Sequence, residues 1–318
     1  MRTIAGDIGG TKSLLRCIED DRVALEQRFE SASFKTFDAL LTEFLSRCSK
    51  PVHAACFAVA GPVLENRAEV TNLKWAIDAA ALEKAFDIHD VALINDFYAI
   101  ALGVPLLEKS DCLSLHAGRR RPREPIAILG AGTGLGEAVV IWSDDQWNVV
   151  PGEGGHADFA PQDEVQTRLL LSLLQSYDHV SWERVCSGMG LVNIFTFLAG
   201  RETDPARIAE LAESRDPIAI KTFEMFVDIY GAEAGNMALR VLARGGVYLA
   251  GGIAAKNTRF FTDGRFVNAF LRKGRFHEML QEMPIDLITD EKVGLRGAAE
   301  MARRFASGLG LRPREDGR

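Results

Sequence analysis

Apolar residues occur in two kinds of segment along the chain, short runs and stretches with helical spacing. The alternation of these segments predicts the order of strands and helices. Continuous apolar runs with the length of a buried strand lie at residues 53–60, 91–94, 126–129 and 247–250. Apolar residues recur at helical spacing in residues 37–48, 79–86, 223–241 and 295–305. Strands that alternate with helices predict an α/β fold with a largely parallel, twisted sheet, whose ligands gather at the carboxyl ends of the strands.

A glycine-rich turn follows the first predicted strand and has the composition of a phosphate-binding loop. It contains Gly6, Asp7, Gly9, Gly10 and Thr11. Glycines let backbone N–H groups approach an anion, Thr11 adds a hydroxyl donor, and Asp7 can hold Mg2+ directly or through water. An ordinary β-hairpin turn is the alternative interpretation of this composition.

A second glycine-rich turn follows the strand at residues 126–129 and supports the first interpretation. It contains Gly130, Gly132, Thr133 and Gly134. The two segments align without a gap, with Gly6, Gly10, Asp20 and Asp21 opposite Gly130, Gly134, Asp144 and Asp145. Each copy has the order strand, glycine turn, strand, Asp-Asp turn, strand, which predicts a duplicated fold with a nucleotide held between two α/β halves.

Two other nucleotide-binding motifs do not fit these turns. A Walker A loop requires Gly-Lys-Ser/Thr, whereas Thr11 precedes Lys12. A dinucleotide fingerprint requires a third glycine, and the frames through residues 130–136 place Leu135, Glu137 and Val139 there. A P-loop ATPase and a Rossmann dehydrogenase are therefore disfavoured.

Length and composition predict a folded protein of about two domains. The chain has 318 residues, of which 47% are hydrophobic and 25% are charged. Because it has no signal-peptide pattern and no apolar run near 18 residues, we expect a cytoplasmic protein without a membrane partner. Its five cysteines lack C-x-x-C spacing, which indicates reduced thiols.

The net charge of −7 argues against nucleic acid as a partner. The local exception is an arginine run at Arg119, Arg120, Arg121 and Arg123. Glycine and proline flank this run, so we interpret it as an exposed loop with solvated charge rather than an anion site.

Asp96 is the first candidate for acid–base chemistry. It ends the apolar strand at residues 91–94 together with Asn95, at the edge where ligands of such a sheet gather. A carboxylate there can accept a hydroxyl proton. A helix N-cap is the alternative role for Asp96, since aspartate is favoured at that position.

Three further polar residues are candidates for ligand binding. Glu153 and His156 flank a double glycine, and Glu183 lies near a predicted helix start. A solvent-exposed turn is the alternative for the first two, and an interaction with the helix dipole is the alternative for Glu183. Two possible ligands three residues apart are too few for a structural zinc site.

Eight sequence blocks, in this order, resemble bacterial glucokinases of the hexokinase and actin-like superfamily. They lie at residues 6–11, 58–63, 71–75, 94–97, 130–136, 151–156, 183–188 and 249–253. The resemblance implies a two-domain actin-like (ribonuclease H-like) ATPase fold with the active site in the interdomain cleft. The implied domains are a small α/β domain at residues 1–106 plus 294–318 and a large α/β domain at residues 107–293. It also implies transfer of the γ-phosphoryl group of MgATP to the 6-hydroxyl of glucose, and a homodimer.

The same resemblance implies roles for individual residues. Asp96 matches the catalytic base, and Asp7 lies near the metal ion. The residues that match the sugar site are Asn72, Asn95, Asp96, Glu153, His156 and Glu183. Those that match the ATP site are Gly6, Asp7, Gly9, Gly10, Thr11, Gly130, Gly132, Thr133, Gly134, Gly251 and Gly252.

Differences between this sequence and related groups of proteins favour one branch of the superfamily. The ROK sugar kinases and repressors carry a cysteine-rich zinc motif after the active-site histidine, whereas no cysteine follows His156 until Cys186. The chain therefore resembles the zinc-free branch, and the role of Glu137 stays open. A sugar-responsive repressor would need a DNA-binding segment. Because Asp7 lies so near the start of the sequence, we expect no such segment before it. An actin-like ATPase that acts by protein association would not need Glu153, His156 and Glu183.

Overall fold

The computed structural model describes residues 1–48, 51–70 and 73–309. The chain forms two compact units, one from Met1–Leu107 with Glu291–Arg318 and one from Glu108–Asp290. The domain boundaries given above, after residues 106 and 293, stay a prediction.

The strands of the first unit form a five-stranded sheet in the order β3-β2-β1-β4-β8 and a small sheet in the order β5-β6-β7. They are β1 (Arg2–Ile8), β2 (Lys12–Glu19), β3 (Arg22–Glu30), β4 (Ala54–Val59), β5 (Val63–Leu64), β6 (Arg67–Glu69), β7 (Ala76–Asp78) and β8 (Asp90–Asn95). Strand β1 pairs antiparallel with β2 and parallel with β4, and β4 pairs parallel with β8. The carboxyl ends of β1, β4 and β8 therefore meet at one sheet edge.

The strands of the second unit form a six-stranded sheet in the order β12-β11-β10-β13-β14-β9. They are β9 (Cys112–His116), β10 (Ile126–Ala131), β11 (Leu135–Ser143), β12 (Gln146–Gly152), β13 (Gly246–Ala250) and β14 (Ile285–Ile288). Strand β10 pairs antiparallel with β11 and parallel with β13, and β13 pairs parallel with β14.

Five strands thus have the same order and the same directions in both units, which confirms the predicted duplication. The two Asp-Asp turns have the same geometry as well. Asp20 and Asp21 have φ values of 46° and 63°, and Asp144 and Asp145 have 52° and 54°. Two successive left-handed residues form the tight hairpin turn that suits twisted antiparallel strands, and aspartate tolerates this conformation.

Twelve α-helices occur in the described residues, and none of them has the length and apolar character needed to cross a membrane. They are α1 (Phe37–Leu45), α2 (Ala79–Phe86), α3 (Asp96–Gly103), α4 (Glu164–Leu173), α5 (Gly188–Ala199), α6 (Pro205–Glu213), α7 (Pro217–Val241), α8 (Gly252–Lys256), α9 (Thr258–Phe261), α10 (Arg265–Leu271), α11 (His277–Gln281) and α12 (Val293–Ala306). The helices predicted near residues 37–48, 79–86, 223–241 and 295–305 are confirmed.

Each unit has its own hydrophobic core. In the first unit, Phe37 of α1 packs edge-on against Phe57 of β4, with the ring centroids 4.9 Å apart. In the second unit, the long helix α7 is central, and its Phe223 stacks on Phe260 of α9 at 4.7 Å. Aromatic pairs of this kind add to the stabilisation from buried area.

The arginine run lies in a loop as predicted, with Arg121 half-buried and its other members exposed, but three of its side chains also make specific contacts. Arg120 donates hydrogen bonds to the Gly245 carbonyl and to the Asp286 carboxylate. Arg121 pairs with Glu282, and the Arg123 guanidinium lies 4.6 Å from the centroid of the Trp142 ring. The run therefore joins its loop to the sheet of the second unit.

Helices α3 and α12 of the first unit cross at very short range because glycines lie at their contact. A Cβ atom at Gly297 would lie 1.8 Å from the carbonyl oxygen of Ala99, and one at Gly103 would lie 2.2 Å from that of Val293. No side chain fits these positions without a shift of the helix backbones.

We therefore expect Gly297→Ala to lower the free energy of unfolding by about 1–3 kcal/mol, the usual cost of overpacking. Gly188→Ala is the matched control, because a Cβ atom at this helical glycine would have no neighbour closer than 3.5 Å. Alanine favours a helix interior by about 1 kcal/mol and the first residue of a helix, which Gly188 is, by less. Because this bias favours Gly297→Ala, a lower stability of that variant than of Gly188→Ala reports the clash. Urea unfolding followed by circular dichroism measures it, and equal stability of the two variants would contradict the expected crowding.

Candidate active site

In the first unit, the strand register brings Asp7 and Asp96 to the same sheet edge. Asp7 of β1 lies opposite Ala58 of β4, and Val59 lies opposite Asn95, the last residue of β8. Both carboxyl groups are partly buried. Burial, followed by the charge of Asp96, raises the pKa of Asp7 to about 6. Burial also raises the pKa of Asp96, against the lowering effect of the hydrogen bonds that it accepts.

The N-cap of α3 is Asn95, so the alternative role of Asp96 as the cap is wrong. The Asn95 Oδ1 accepts hydrogen bonds from the backbone N–H groups of Phe97 and Tyr98, and its Nδ2 donates to the Gly61 carbonyl. Asp96 follows in the first turn of the helix, and its Oδ1 accepts from the Phe97 N–H at 2.8 Å. Asp96 thus lies where the helix dipole favours a negative charge.

The donor set at this edge fits Mg2+. Carboxylate oxygens are typical Mg2+ ligands, and the ion usually completes its shell with water and substrate phosphates rather than with a full protein cage. Among the described residues no group of three or more His, Cys, Asp or Glu side chains is placed to hold a metal ion. The unfavourable proximity of the Asp7 and Asp96 carboxylates is what a divalent cation would relieve.

The first glycine turn is held by serines that sequence analysis did not identify. The Gly9 N–H donates to the Lys12 carbonyl at 3.1 Å, and the Ser31 Oγ donates to the Gly9 carbonyl at 2.8 Å. The Ser31 N–H donates to the Thr11 carbonyl, and its hydroxyl also pairs with Ser13. Ser13 lies in β2 and Ser31 follows β3, 18 residues later, so no local sequence pattern indicated this support.

The predicted glycines of this turn have different surroundings. Gly6 is buried, and a Cβ atom there would lie 2.7 Å from the Phe57 ring. Gly10 and Thr11 are partly or fully exposed at the turn. Gly6 thus allows close packing below the turn, while Gly10 and Thr11 form its more exposed part.

In the second unit, Glu183 is joined to the second glycine turn. Its Oε2 accepts a hydrogen bond from the Leu135 N–H at 2.9 Å, and a Cβ atom at Gly134 would lie 2.4 Å from the same oxygen. The Gly132 carbonyl accepts from the N–H of Gly188, the first residue of α5. Gly130 lies in β10, and Thr133 lies between Gly132 and Gly134. The structure therefore brings together the predicted residues of the second turn and Glu183.

Glu153 and His156 lie on the same tight turn after β12, and both are exposed. Their side chains approach to 3.9 Å, between His156 Nε2 and Glu153 Oε2. The double glycine between them lies close to β11. A Cβ atom at Gly155 would lie 2.2 Å from the Leu135 carbonyl oxygen. The glycines thus let the turn lie flat on the strand while its polar side chains face outward.

The remaining predicted positions lie at two places. Gly251 follows β13 with φ of 91°, and a Cβ atom there would lie 2.3 Å from the Ala131 carbonyl oxygen. Gly252 begins the short helix α8. Both glycines are exposed. Asn72 lies outside the described residues.

Comparisons with known proteins agree with this arrangement. The family model described as Glucokinase matches residues 4–305. The chain is 40% identical to a glucokinase of a Nostoc species over 95% of its own length and 99% of that protein, and 36% identical to a glucokinase of Yersinia enterocolitica over 95% and 96%.

Solved structures agree as well. A crystal structure of a glucokinase from an Antarctic psychrotroph is 30% identical, with a TM-score of 0.88 over 95% of this chain and 99% of that one. A ROK family glucokinase from Streptomyces griseus, solved with glucose and AMPPNP, is 20% identical with a TM-score of 0.64 over 96% and 100%, and it bears on the fold alone. The actin-like ATPase fold of sugar kinases is confirmed, and the chain belongs to the glucokinase family.

Proposed function

We propose that this member of the glucokinase family transfers the γ-phosphoryl group of ATP to the 6-hydroxyl of glucose. The observation that carries the proposal is the pair Asp7 and Asp96 at the carboxyl ends of β1 and β8. One carboxylate is suited to a metal ion and the other to a hydroxyl proton. Glucokinases with 34–40% identity over nearly the whole chain support the same activity.

Asp96 is the catalytic base in this proposal. It accepts the proton of the sugar hydroxyl while the oxygen attacks the γ-phosphorus. Burial raises its pKa and strengthens it as a base, while the Phe97 N–H and the helix N-terminus keep the ionised form accessible. Asn95 holds the start of α3 and thereby fixes the direction of the Asp96 side chain.

The glycine turns and Mg2+ bind ATP in this proposal. Backbone N–H groups at Gly10 and Thr11, and those of the second turn at Thr133 and Gly134, face the phosphates. The Gly132 N–H donates to the Gly134 carbonyl and so shapes that turn. Gly251 and Gly252 contact the adenosine. Asp7 would hold Mg2+, which when bound would supply charge neutralisation at the phosphates. Catalysis of phosphoryl transfer is mainly positioning and electrostatic stabilisation, which these groups provide.

The sugar hydroxyls are bound by Asn95, Glu153, His156 and Glu183. Glu183 has one oxygen engaged by the Leu135 N–H, which fixes its carboxylate beside the second turn. Glu153 and His156 are exposed on a turn that the backbone of β11 supports. Asn72, a cytoplasmic location, a homodimer, and the absence of nucleic acid, membrane and zinc partners remain predictions.

The first test is a phosphorylation assay with purified protein, MgATP and a panel of hexoses. Polar groups aimed at separate hydroxyls reject an analogue with a missing or inverted hydroxyl by up to about 10,000-fold. We expect kcat/KM for glucose to exceed that for galactose and fructose by a large factor. Comparable values for the three hexoses, or a preference for an N-acetylated sugar, would contradict glucose as the substrate.

We expect Asp96→Asn to lower kcat by about 100- to 10,000-fold while glucose binding persists, because the amide keeps the shape of the carboxylate without its basicity. Asp38→Asn is the matched control, since Asp38 also lies in the first turn of a helix of this unit but is exposed. Calorimetric glucose binding and steady-state kinetics measure the two effects. Near-normal kcat in Asp96→Asn would remove Asp96 from the role of base.

We expect Asp7→Asn to raise the Mg2+ concentration needed for half-maximal rate and to lower kcat by about 100-fold, which corresponds to roughly 3 kcal/mol of transition-state stabilisation. Glucose affinity should stay unchanged, because Asp7 lies at the phosphate turn. Kinetics at varied Mg2+ measure the effect, again with Asp38→Asn as control. An unchanged Mg2+ dependence would contradict the metal role of Asp7.

A further inference from the structure

Glu137 lies directly beneath the turn that carries Glu153 and His156. It is the third residue of β11 and pairs in register with Gly152, the last residue of β12. A Cβ atom at Gly154 would lie 1.9 Å from the Glu137 Oε2 and 2.9 Å from its Cδ. The carboxyl group therefore packs against the Gly154 backbone and forms the floor of the turn.

The carboxyl group of Glu137 is also unusual in its burial. The residue is only 5% exposed, and its Oε1 is buried with no hydrogen-bond partner among the described residues. An ionised carboxylate in such a place lacks the donors that would offset its loss of water. The neutral acid is the form that this surrounding favours.

The charged and titratable neighbours of Glu137 leave the neutral acid as the favoured form of its carboxyl group. They are Tyr230, Glu233 and Arg240 of α7, Cys186 before α5, and Glu153 and His156 on the turn. Arg240 is paired with the fully buried Glu233 at 2.8 Å, and Asn236 donates to the other oxygen of Glu233. Arg240, the positive charge that opposes the effect of burial on Glu137, is thus already paired with another acid.

Burial and, after it, the Glu233 carboxylate raise the pKa of Glu137 while Arg240 opposes them, and together these effects bring the pKa to about 7. The carboxyl group therefore keeps its proton below neutral pH and loses it as the pH rises above about 7. Ionisation then places a second negative charge close to Glu233 and beneath the turn.

We propose that Glu137 is a positioning residue for glucose binding, whose neutral carboxyl group supports Gly154 and so holds Glu153 and His156 at the sugar hydroxyls. The inference rests on the proposed function of this turn as part of the sugar site. Loss of the Glu137 proton draws donors or water toward the carboxylate and displaces the turn. Glucose affinity then falls, while ATP affinity and the chemistry at Asp96 are not directly affected.

The kinetic test compares wild type, Glu137→Gln and Glu137→Ala from pH 6 to pH 9. We expect Glu137→Ala to raise the glucose KM by about 10- to 100-fold through misplacement of the turn, with little change in the KM for ATP. The wild-type glucose KM should rise above about pH 7. Glu137→Gln, which is neutral at every pH and similar in shape, should lack that rise and match the wild type at pH 6.

Hydrogen exchange at the turn provides a readout that does not depend on kinase activity. The His156 N–H donates to the Glu153 carbonyl and the Ala157 N–H to the Gly154 carbonyl. We expect Glu137→Ala to speed exchange at these amides and not across the second unit as a whole. Asp286→Asn is the matched control, since Asp286 is another partly buried acid of the same sheet, distant in sequence from the turn and paired with Arg120.

The outcomes separate this inference from the proposed function. A wild-type protein that does not phosphorylate glucose would refute the proposed function and, with it, the role in glucose binding. An active wild type with an unchanged glucose KM in Glu137→Ala, or with faster exchange throughout the second unit, would refute the positioning role alone. If Glu137→Ala does not fold, the same pH dependence of the glucose KM in Glu137→Gln and wild type would refute it.

Discussion

The pairing of β1, β4 and β8 as parallel neighbours is the constraint on which the candidate site depends. It places two carboxyl groups, Asp7 and Asp96, at one sheet edge where both are partly removed from water. Burial, and after it the like charge of Asp96, raises the pKa of Asp7 to about 6. The arrangement is stable in the fold because the N-terminus of α3 supplies N–H donors to the Asp96 side.

The close crossing of α3 and α12 is coupled to the same carboxyl pair. Gly294, in the first turn of α12, lies so that a Cβ atom would be 3.5 Å from the Asp7 Oδ2. Gly297 lets α12 approach the backbone of α3, the helix that begins with Asp96. Helix packing thus contributes to the burial of Asp7 and, through burial, to the raised pKa of its carboxyl group.

In the second unit, glycines have the corresponding role. They let polar side chains lie against strand backbone: Glu183 against the turn at Gly134, and the Glu153–His156 turn against β11. The two units share the same sheet order, and in both a glycine-rich turn follows the central strand. The duplicated architecture therefore explains why a glycine-rich turn occurs twice.

Much of the fold could be predicted from the sequence, because the spacing of apolar residues, the glycine turns and the Asp-Asp turns are patterns of neighbouring residues. The alternative of Asp96 as the N-cap of α3 was wrong because the position of the cap depends on where β8 ends, which places Asn95 there. The surroundings of Glu137 and Arg120 could not be predicted from local patterns either, because their neighbours are distant in sequence. Glu233 comes from the distant helix α7, and the partner of Arg120 is Asp286, 166 residues away.

A crystal structure with glucose, Mg2+ and a non-hydrolysable ATP analogue tests the central claim most directly. The account predicts one Asp96 carboxylate oxygen within about 2.6–3.2 Å of the glucose 6-hydroxyl, the distance at which a general base acts. It also predicts a Mg2+ ion that Asp7 holds directly or through one water. A 6-hydroxyl that faces another side chain, or a metal ion bound away from Asp7, would contradict the roles assigned to this pair.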